Sequence, residues 1–341
     1  MDKNRAVLVT LADENYIDQA KQLFSSVYWN SGWKGDYLLL ARKIPEDKLK
    51  WFIDKGIIVR RINPVVNEPL NYLWPPIIYD KFQLFSNYFK RWNVVVYLDA
   101  DIIVRGSLDS LLKEKGISAV SSIFDYKLRD NLWRIHNPSD RKLMKQDDIN
   151  EYYSKLSELR KKYDFNDKAF NSGLIVFNTS IIRDDTFFNL KKLLDRYGFI
   201  IKADDGILSL FFYKKWKSLS VAYNVNANFF KSYLNISGKD INGIVIHFIH
   251  NIKPWEKESD CYEEWKHNLR FSDGINLIDR PIASFKWNYY DFLKLKIVIL
   301  YGIVRNFHRV MFRLYHKILG LVGIFLNRRY PKMCNFLKKG N

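Results

Sequence analysis

The sequence contains very little cysteine and no long apolar run. Cys261 and Cys334 are the only cysteines among 341 residues, so a disulfide-rich secreted scaffold is excluded and a reduced, intracellular setting is expected. The longest apolar stretches, 297–304 and 319–326, have eight residues each, whereas a membrane-spanning helix needs about 20. The first residues lack the apolar region and cleavage site of a signal peptide, so we expect no secretory leader.

The last fifty residues contain no acidic residue. Residues 292–341 hold 11 of the 55 Lys and Arg residues, so they carry +11 of the net charge of +18 and leave +7 to the rest of the chain. This distribution favours an anionic surface as a partner. We expect no nucleic-acid binding, because the sequence has no zinc-finger or aromatic RNA-binding motif.

The same tail has the pattern of an amphipathic helix. Between Leu300 and Phe325 apolar residues recur every three or four positions, and basic residues follow one another at Arg305, Arg309, Arg313 and Lys317. Such a helix can lie in a membrane interface and attract anionic lipid. The alternative is a helix that packs on the rest of the chain or on a second copy, with its charges solvated. We therefore predict a main domain over 1–290 and a basic amphipathic tail over 291–341.

Apolar runs and amphipathic stretches alternate in the first hundred residues, and 48% of all residues are hydrophobic. Alternation of this kind predicts an α/β fold with a mostly parallel sheet, which binds ligands at the carboxyl ends of its strands. The predicted strands are 6–11, 36–41, 57–62 and 93–98. The predicted helices are 16–28, a helix that starts at Pro45 and ends at Gly56, and 77–89.

The middle of the chain, about 125–168, is polar and highly charged, with a helical pattern near 148–162. Long polar insertions between strands are commonly lids or binding elements, so we predict that this segment is a lid or contacts an acceptor. A second α/β portion follows from Leu174 to about Trp255.

Two carboxylates follow the apolar run Val94–Leu98. This Asp99-Ala100-Asp101 sequence lies where a strand end could hold a hard divalent cation. The pattern is weak by itself, because a solvated turn after a strand has the same composition.

Three further motifs contain residues that could take part in binding or catalysis. His247 follows a strand-like run and precedes Lys253 by six residues; Asn171 lies in Phe170-Asn171-Ser172-Gly173; and Asp204-Asp205-Gly206 opens a predicted helix. A histidine can ligate a metal and a lysine can meet a phosphate as a point charge. Each also has an ordinary explanation: a structural histidine, a strand entry, or an aspartate that caps a helix.

Together and in this order, the four motifs resemble glycosyltransferase family 8, the retaining nucleotide-sugar transferases with a Rossmann-like GT-A fold. The resemblance covers about residues 5–258. It implies metal-dependent transfer of a hexose, glucose or galactose, from a UDP-sugar to a glycan acceptor, with an α-linked product.

The resemblance also implies site residues. Asp99, Asp101 and His247 would hold Mn²⁺ or Mg²⁺, Mn²⁺ being favoured by the imidazole, with Lys253 on the diphosphate. The implied nucleotide contacts are Leu11, Asp13, Asn15, Tyr16, Lys81, Asp99 and Ala100, with Asp13 and Asn15 at the uracil and Tyr16 stacked near it. Asn171 and Asp204 would contact the donor sugar.

Three positions depart from the family pattern. Lys81 stands where the family usually has Arg, which keeps the charge but loses the bidentate fork. His250 stands where Gly is common; we expect its side chain to point outward, the alternatives being that it crowds the nucleotide or donates to it. Asp205 stands where Gln is typical, beside the anomeric carbon. A carboxylate there could be a nucleophile, could stabilise an oxocarbenium-like transition state, or could be a solvated helix charge.

Three functions remain open on the sequence. The leading one is a cytoplasmic transferase, peripheral on the inner face of the membrane, that acts on a lipid-linked, lipopolysaccharide or other surface-glycan precursor. The second is a glycogenin-like self-glucosylating protein, since the motifs at Asn171 and Asp204 are closer to glycogenin. The third is a catalytically inactive module that binds nucleotide or membrane.

Overall fold

The computed structural model describes residues 6–68, 74–121, 126–132, 146–249, 252–305 and 307. Its main sheet is built from strands β1 Ala6–Ala12, β2 Asp36–Arg42, β3 Ile58–Ile62, β4 Val94–Leu98, β6 Ile117–Val120, β7 Asn171–Asn178 and β8 Trp216–Ser218. Their spatial order is β3-β2-β1-β4-β7-β6-β8. A smaller sheet contains β5 Ile102–Val104, β10 Val245–His247 and β9 Val225–Asn226, in that spatial order.

The main sheet is mostly parallel, which confirms the predicted α/β fold. Strands β3, β2, β1 and β4 pair in parallel, as do β6 and β8, and only β7 runs antiparallel to its two neighbours among the described strands. The predicted strands correspond to β1–β4 within a residue or two at each end. Every residue of β1 is buried; alternate side chains enter the two hydrophobic clusters on opposite faces, Leu8 into one and Val9 into the other.

Helices cover both faces of this sheet. They are α1 Ile17–Ser31, α2 Glu46–Asp54, α3 Gln146–Arg160, α4 Thr186–Tyr197, α5 Asp204–Phe211, the single turn α6 Ala227–Phe229 and α7 Tyr262–Arg270, and residues 289–305 are also helical. The predicted helix over 16–28 is α1, and its apolar side chains at Ala20, Leu23 and Phe24 are fully buried. Helix α2 begins after Pro45, and Gly56 follows its end with a left-handed φ of +75°.

The predicted helix over 77–89 is not one continuous helix. The segment forms two 3₁₀ helices, Pro76–Phe85 and Asn87–Arg91, separated by Ser86 in an extended conformation. Tyr79, Phe82 and Phe85 repeat every three residues, which aligns them on one side of a helix with three residues per turn. All three are buried, so packing against the sheet favours the tighter helix.

The predicted polar insertion at 125–168 lies only partly within the described residues. Segments 122–125 and 133–145 are outside them. Helix α3 matches the helical pattern predicted near 148–162, and Glu158 joins it to α4 through Arg196 (2.7 Å) and the Tyr197 hydroxyl (3.1 Å). A lid or acceptor-binding role for the insertion stays a prediction.

After α7 the chain returns along α1. The Tyr28 hydroxyl donates to the carbonyls of Asn276 (3.0 Å) and Asp279 (2.6 Å), and the Ser284 amide donates to the carbonyl of Asn30. The helix at 289–305 covers the start of the predicted tail, whereas 308–341, which include Arg309, Arg313 and Lys317, lie outside the described residues. The division at 290/291 therefore stays a prediction. No helix within the described part of the chain is long and apolar enough to span a membrane.

Candidate active site

Three potential metal ligands meet where the two sheets join. Asp99 follows β4, Asp101 precedes β5, and His247 ends β10, which pairs with β5 so that His247 lies opposite Ile102. One ligand atom from each residue lies within 4.8 Å of the others. The His247 Nε2 atom is 3.1 Å from Asp101 Oδ1 and 3.9 Å from Asp99 Oδ2.

These residues fit a divalent cation. Asp101 Oδ1 is shielded from solvent and has no hydrogen-bond partner among the described residues. Two ligands bound to an octahedral metal at about 2.1 Å and at right angles lie about 3 Å apart, close to the 3.1 Å between Asp101 and His247. Burial opposes ionisation of Asp101, but the charges of His247 and Lys253 outweigh it and hold the pKa well below its ordinary value.

A chain of amides fixes the orientation of the His247 ring. The Gly173 amide donates to Asn171 Oδ1 (3.0 Å), so the other Asn171 side-chain atom is its NH₂ group. Asn224 Nδ2 donates to the same oxygen (2.8 Å), which leaves Asn224 Oδ1 to accept from His247 Nδ1 (2.8 Å). Nδ1 therefore carries a proton, and Nε2 faces the two carboxylates as the potential metal ligand.

Gly173 is required beside this ring. A Cβ atom at position 173 would lie 2.1 Å from His247 Cε1 and 2.5 Å from Nδ1. Any larger residue would push the imidazole away from Asp101. The Asn171-Ser172-Gly173 motif thus supplies both the first amide of the chain and the space for the ring.

Lys253 lies next to the metal ligands. Its Nζ is 2.6 Å from Asp101 Oδ2 and donates to the carbonyl of Phe248 (2.7 Å). A mobile ammonium group at this place can pair with an anionic ligand of the metal, as predicted for the diphosphate. His250 and Asn251, between Phe248 and Lys253, lie outside the described residues, so the expectation for His250 stays a prediction.

Lys81 is a buried cation between two carboxylates. Its Nζ lies 3.1 Å from Asp99 Oδ1 and 2.8 Å from Asp204 Oδ2, and it donates to Ser172 Oγ (3.0 Å). Burial alone would lower the pKa of Lys81, but Asp204 and Asp99 outweigh it and raise that pKa. The Tyr97 hydroxyl donates to Asp99 Oδ1 (2.7 Å). Lys81 therefore joins the metal ligands to the start of α5; its predicted nucleotide contact stays a prediction.

Neither aspartate at the start of α5 is a helix cap. Ala203 occupies the N-cap position, and Asp204 accepts from Ser172 Oγ (2.7 Å) besides pairing with Lys81. Asp205 is 9% exposed, so it is not a solvated charge. The Tyr126 hydroxyl donates to Asp205 Oδ2 (3.2 Å), and Oδ1 has no partner in the described chain. Burial, and then the charge of Asp204, raise the pKa of Asp205 from 3.8 to about 7.

The predicted nucleotide segment lies at the carboxyl end of β1. Leu11 is buried in that strand, and the Asp13 carboxylate accepts from the Asn15 amide (3.0 Å), which starts the short 3₁₀ turn Glu14–Tyr16. Tyr16 is 38% exposed, and its ring meets Trp255 edge-on at 5.8 Å between centroids. Ala100, between the two ligand aspartates, is 6% exposed. The fold thus brings Leu11, Asp13, Asn15 and Tyr16 to the edge of the sheet that carries Asp99. Their uridine contacts stay predictions.

Two important side chains were missed by the sequence analysis. Asn224, which orients His247, lies in the alternating sequence Asn224-Val-Asn-Ala-Asn228, whose regular amides are the one local signal that could have pointed to it. Tyr126, which contacts Asp205, lies inside the polar segment that we predicted to be a lid or an acceptor contact, where no single residue was picked out. Neither has a motif of its own, because both act through residues distant in sequence.

Comparison with known proteins places this geometry in a family. The model of glycosyl transferase family 8 matches residues 7–259. Among curated proteins, the glycosyltransferase GlyB of Streptococcus pneumoniae is 25% identical over 294 residues, which cover 78% of this chain and 62% of GlyB. The lipopolysaccharide 1,2-glucosyltransferase of Escherichia coli is 25% identical over 257 residues, covering 62% of this chain and 68% of that protein. The chain thus spans less than two thirds of GlyB.

Solved structures share the fold. An active-site mutant of LgtC superposes with a TM-score of 0.59 at 19% identity, covering 77% of this chain and 94% of LgtC. The galactosyltransferase LgtC in complex with donor and acceptor sugar analogues gives 0.56 at 18% identity, covering 77% of this chain and 95% of that one. These likenesses confirm the GT-A-like α/β architecture.

We expect Asn224→Ala to weaken metal binding by about 10–100-fold, since ligand-orienting hydrogen bonds of this kind contribute that much to affinity. The readout is a Mn²⁺ titration followed by electron paramagnetic resonance. Asn178→Ala is the matched control. Asn178 lies at the end of β7 opposite Asn171, and its side chain accepts a hydrogen bond from the Ser180 amide. Equal Mn²⁺ affinity in both variants would show that Asn224 does not orient His247.

We expect Asp205→Asn to change how stability depends on pH. The folded chain keeps the Asp205 proton up to about pH 7, whereas an unfolded carboxyl releases it near 3.8. The resulting stabilisation is fully present below the lower value and is lost as the pH rises through the upper one. The free energy of unfolding of the variant, relative to that of wild type, should therefore rise between about pH 4 and 7. The rise should reach roughly 4 kcal/mol and stop above pH 7.

Denaturant unfolding in the presence of a chelator measures this difference. Tyr126→Phe should extend to higher pH the range over which the stabilisation by protonated Asp205 is lost, because the Tyr126 hydroxyl lowers the pKa of Asp205. A difference between wild type and Asp205→Asn that is the same at every pH would contradict burial of a protonated Asp205.

Proposed function

The chain belongs to glycosyltransferase family 8, and on that basis we propose that it transfers a hexose, glucose or galactose, from a UDP-sugar to a glycan acceptor with retention of anomeric configuration. The observation that carries the proposal is the cluster of Asp99, Asp101 and His247 with Lys253 beside it. In the proposed reaction the bond between the anomeric carbon and the diphosphate breaks, and negative charge develops on the departing UDP.

The side chains of the cluster have complementary tasks in this reaction. Asp99, Asp101 and the Nε2 atom of His247 would hold the cation, which when bound supplies positive charge to the diphosphate. Two carboxylates with one imidazole suit Mn²⁺, and Mg²⁺ is the second choice. The Lys253 ammonium group can leave Asp101 and pair with a phosphate oxygen instead, because the side chain is flexible and 24% exposed.

Asp205 has two possible tasks on the sugar. As a nucleophile it would attack the anomeric carbon and form a glycosyl-enzyme, which the acceptor hydroxyl then attacks. As a stabiliser it would stay unbonded and face the developing positive charge. Its pKa of about 7 leaves a large ionised fraction at neutral pH for either task. Near-wild-type turnover by Asp205→Asn would exclude the nucleophile.

We expect UDP release from one member of a panel of UDP-sugars in the presence of Mn²⁺, and loss of that release on addition of a chelator. Asp101→Asn should abolish it even at high Mn²⁺, because Asp101 is both a ligand and the partner of Lys253. Asp109→Asn, an exposed acid whose partner is Lys286, is the control. Steps of one hexose in the mass of the protein itself would indicate self-glucosylation. Failure to bind UDP with Mn²⁺ would contradict the proposal.

We further propose that the enzyme is cytoplasmic and peripheral on the inner face of the membrane, where a lipid-linked or lipopolysaccharide-type acceptor is presented. Two observations support this location: the acid-free basic tail and the helix at 289–305. That helix carries Lys294, Lys296 and Arg305 together with apolar side chains that are more than half exposed, such as Ile297 at 57% and Leu300 at 62%. The similarity to a lipopolysaccharide glucosyltransferase supports an envelope glycan as acceptor.

Flotation with lipid vesicles tests the location. We expect the full chain to bind phosphatidylglycerol vesicles and not phosphatidylcholine vesicles. High salt should release it from the phosphatidylglycerol vesicles. Ile297→Glu should weaken binding several-fold, whereas Phe188→Glu, an equally exposed position (56%) on α4, should not. Equal binding to both lipids, or to neither, would contradict a basic membrane anchor.

A further inference from the structure

A groove of about 600 Å³ opens on the outer surface between α1, α2 and α7. Four aromatic side chains line it: Trp51, Trp255, Tyr262 and Trp265. It lies beside the candidate active site and does not include the metal ligands. Asn15 borders the groove, and Trp255 contacts the Tyr16 ring, so one wall of the groove is continuous with the nucleotide segment.

The charges of the groove favour an uncharged ligand. Its carboxylates are Glu14, Asp18 and Asp47, and its two lysines are already engaged. Lys48 pairs with Glu14 at 2.5 Å, and Lys21 lies 4.0 Å from Asp18. A phosphate or carboxylate ligand would therefore meet an excess of like charge without a free cation among the lining residues. A cationic ligand would compete with Lys21, whose Nζ already lies 5.1 Å from the centre of the Trp51 ring.

The polar atoms of the groove favour a ligand with many hydroxyl groups. Carboxylates accept hydrogen bonds, and the Asn15 amide both donates and accepts, which suits hydroxyl groups. The hydroxyl groups of a sugar can donate to the carboxylates of Glu14, Asp18 and Asp47 and can pair with the Asn15 amide in both directions.

Aromatic walls complete this recognition chemistry. The C–H faces of a hexose are apolar and match the flat surface of an indole or phenol ring, while its hydroxyls reach the surrounding carboxylates. We propose that the groove between α1, α2 and α7 binds a neutral oligosaccharide beside the donor site. This goes beyond the proposed transfer reaction and does not rest on it, because the binding requires neither donor nor metal.

Isothermal titration of the full chain tests the proposal with three neutral probes: maltoheptaose, cellohexaose and a β-galactan hexasaccharide. We expect millimolar or tighter binding of at least one of them, without UDP or Mn²⁺. Tyr262→Ala should weaken it about tenfold, the amount that loss of one ring contact worth about 1.4 kcal/mol produces. Asp47→Asn should weaken it several-fold, because an amide replaces a purely accepting carboxylate.

Matched controls separate groove binding from other effects. Tyr289→Ala removes a 75% exposed tyrosine from another helix, and Asp54→Asn changes the opposite end of α2. Neither should alter oligosaccharide binding. The proposal would be overturned if none of the three probes binds, if the groove variants bind as wild type does, if UDP displaces the oligosaccharide, or if an anionic oligogalacturonate binds equally well. If the wild-type chain binds an oligosaccharide but hydrolyses no UDP-sugar, that result would contradict the transfer reaction and leave the groove proposal supported.

Discussion

The buried ammonium group of Lys81 holds the candidate site together. Asp99 and Asp204 come from β4 and α5, more than a hundred residues apart, and without a cation between them their charges would repel in a low dielectric. Replacing one partner would leave a buried charge uncompensated. Counting Asp101, Asp205 and Lys253 as well, four carboxyl groups face two ammonium groups. When all are ionised the excess is two negative charges, which one divalent cation balances.

Lysine suits this position for a geometric reason. Its ammonium has three donors arranged around a point, and it meets three acceptors from three elements: Asp99, Asp204 and Ser172. A guanidinium presents its donors in one plane and serves two oxygens of one carboxylate better. The three acceptors around Lys81 therefore suit a lysine better than the arginine that the family resemblance implies at this position.

The sequence was sufficient to predict the parts of the molecule that depend on local periodicity. The buried strands at β1–β4 and the positions of Asp99, Asp101 and His247 at the ends of strands follow from apolar runs and their ends. The relay through Asn224 could not be predicted, since it joins Asn171, 53 residues earlier, to His247, 23 residues later. Burial of Asp205 was equally hidden, because it depends on Tyr126 and on packing around α5. The 3₁₀ geometry of 76–91 was missed for a related reason: a three-residue repeat becomes decisive only against a sheet.

Strand β7, which runs against both of its neighbours in the main sheet, determines where the chain can accept an insertion next to the site. Because β6 runs with β4 and β7 against both, the end of β6 and the start of β7 meet at the edge that carries the metal ligands, with Val120 opposite Asn171. The segment between them, which includes α3, is thus anchored at both ends beside the site. Loops tolerate changes of length and sequence that a sheet does not. In evolutionary terms, insertions and substitutions in this segment can change the surroundings of the site, while Asp99 and His247, fixed by neighbouring strands, stay in place.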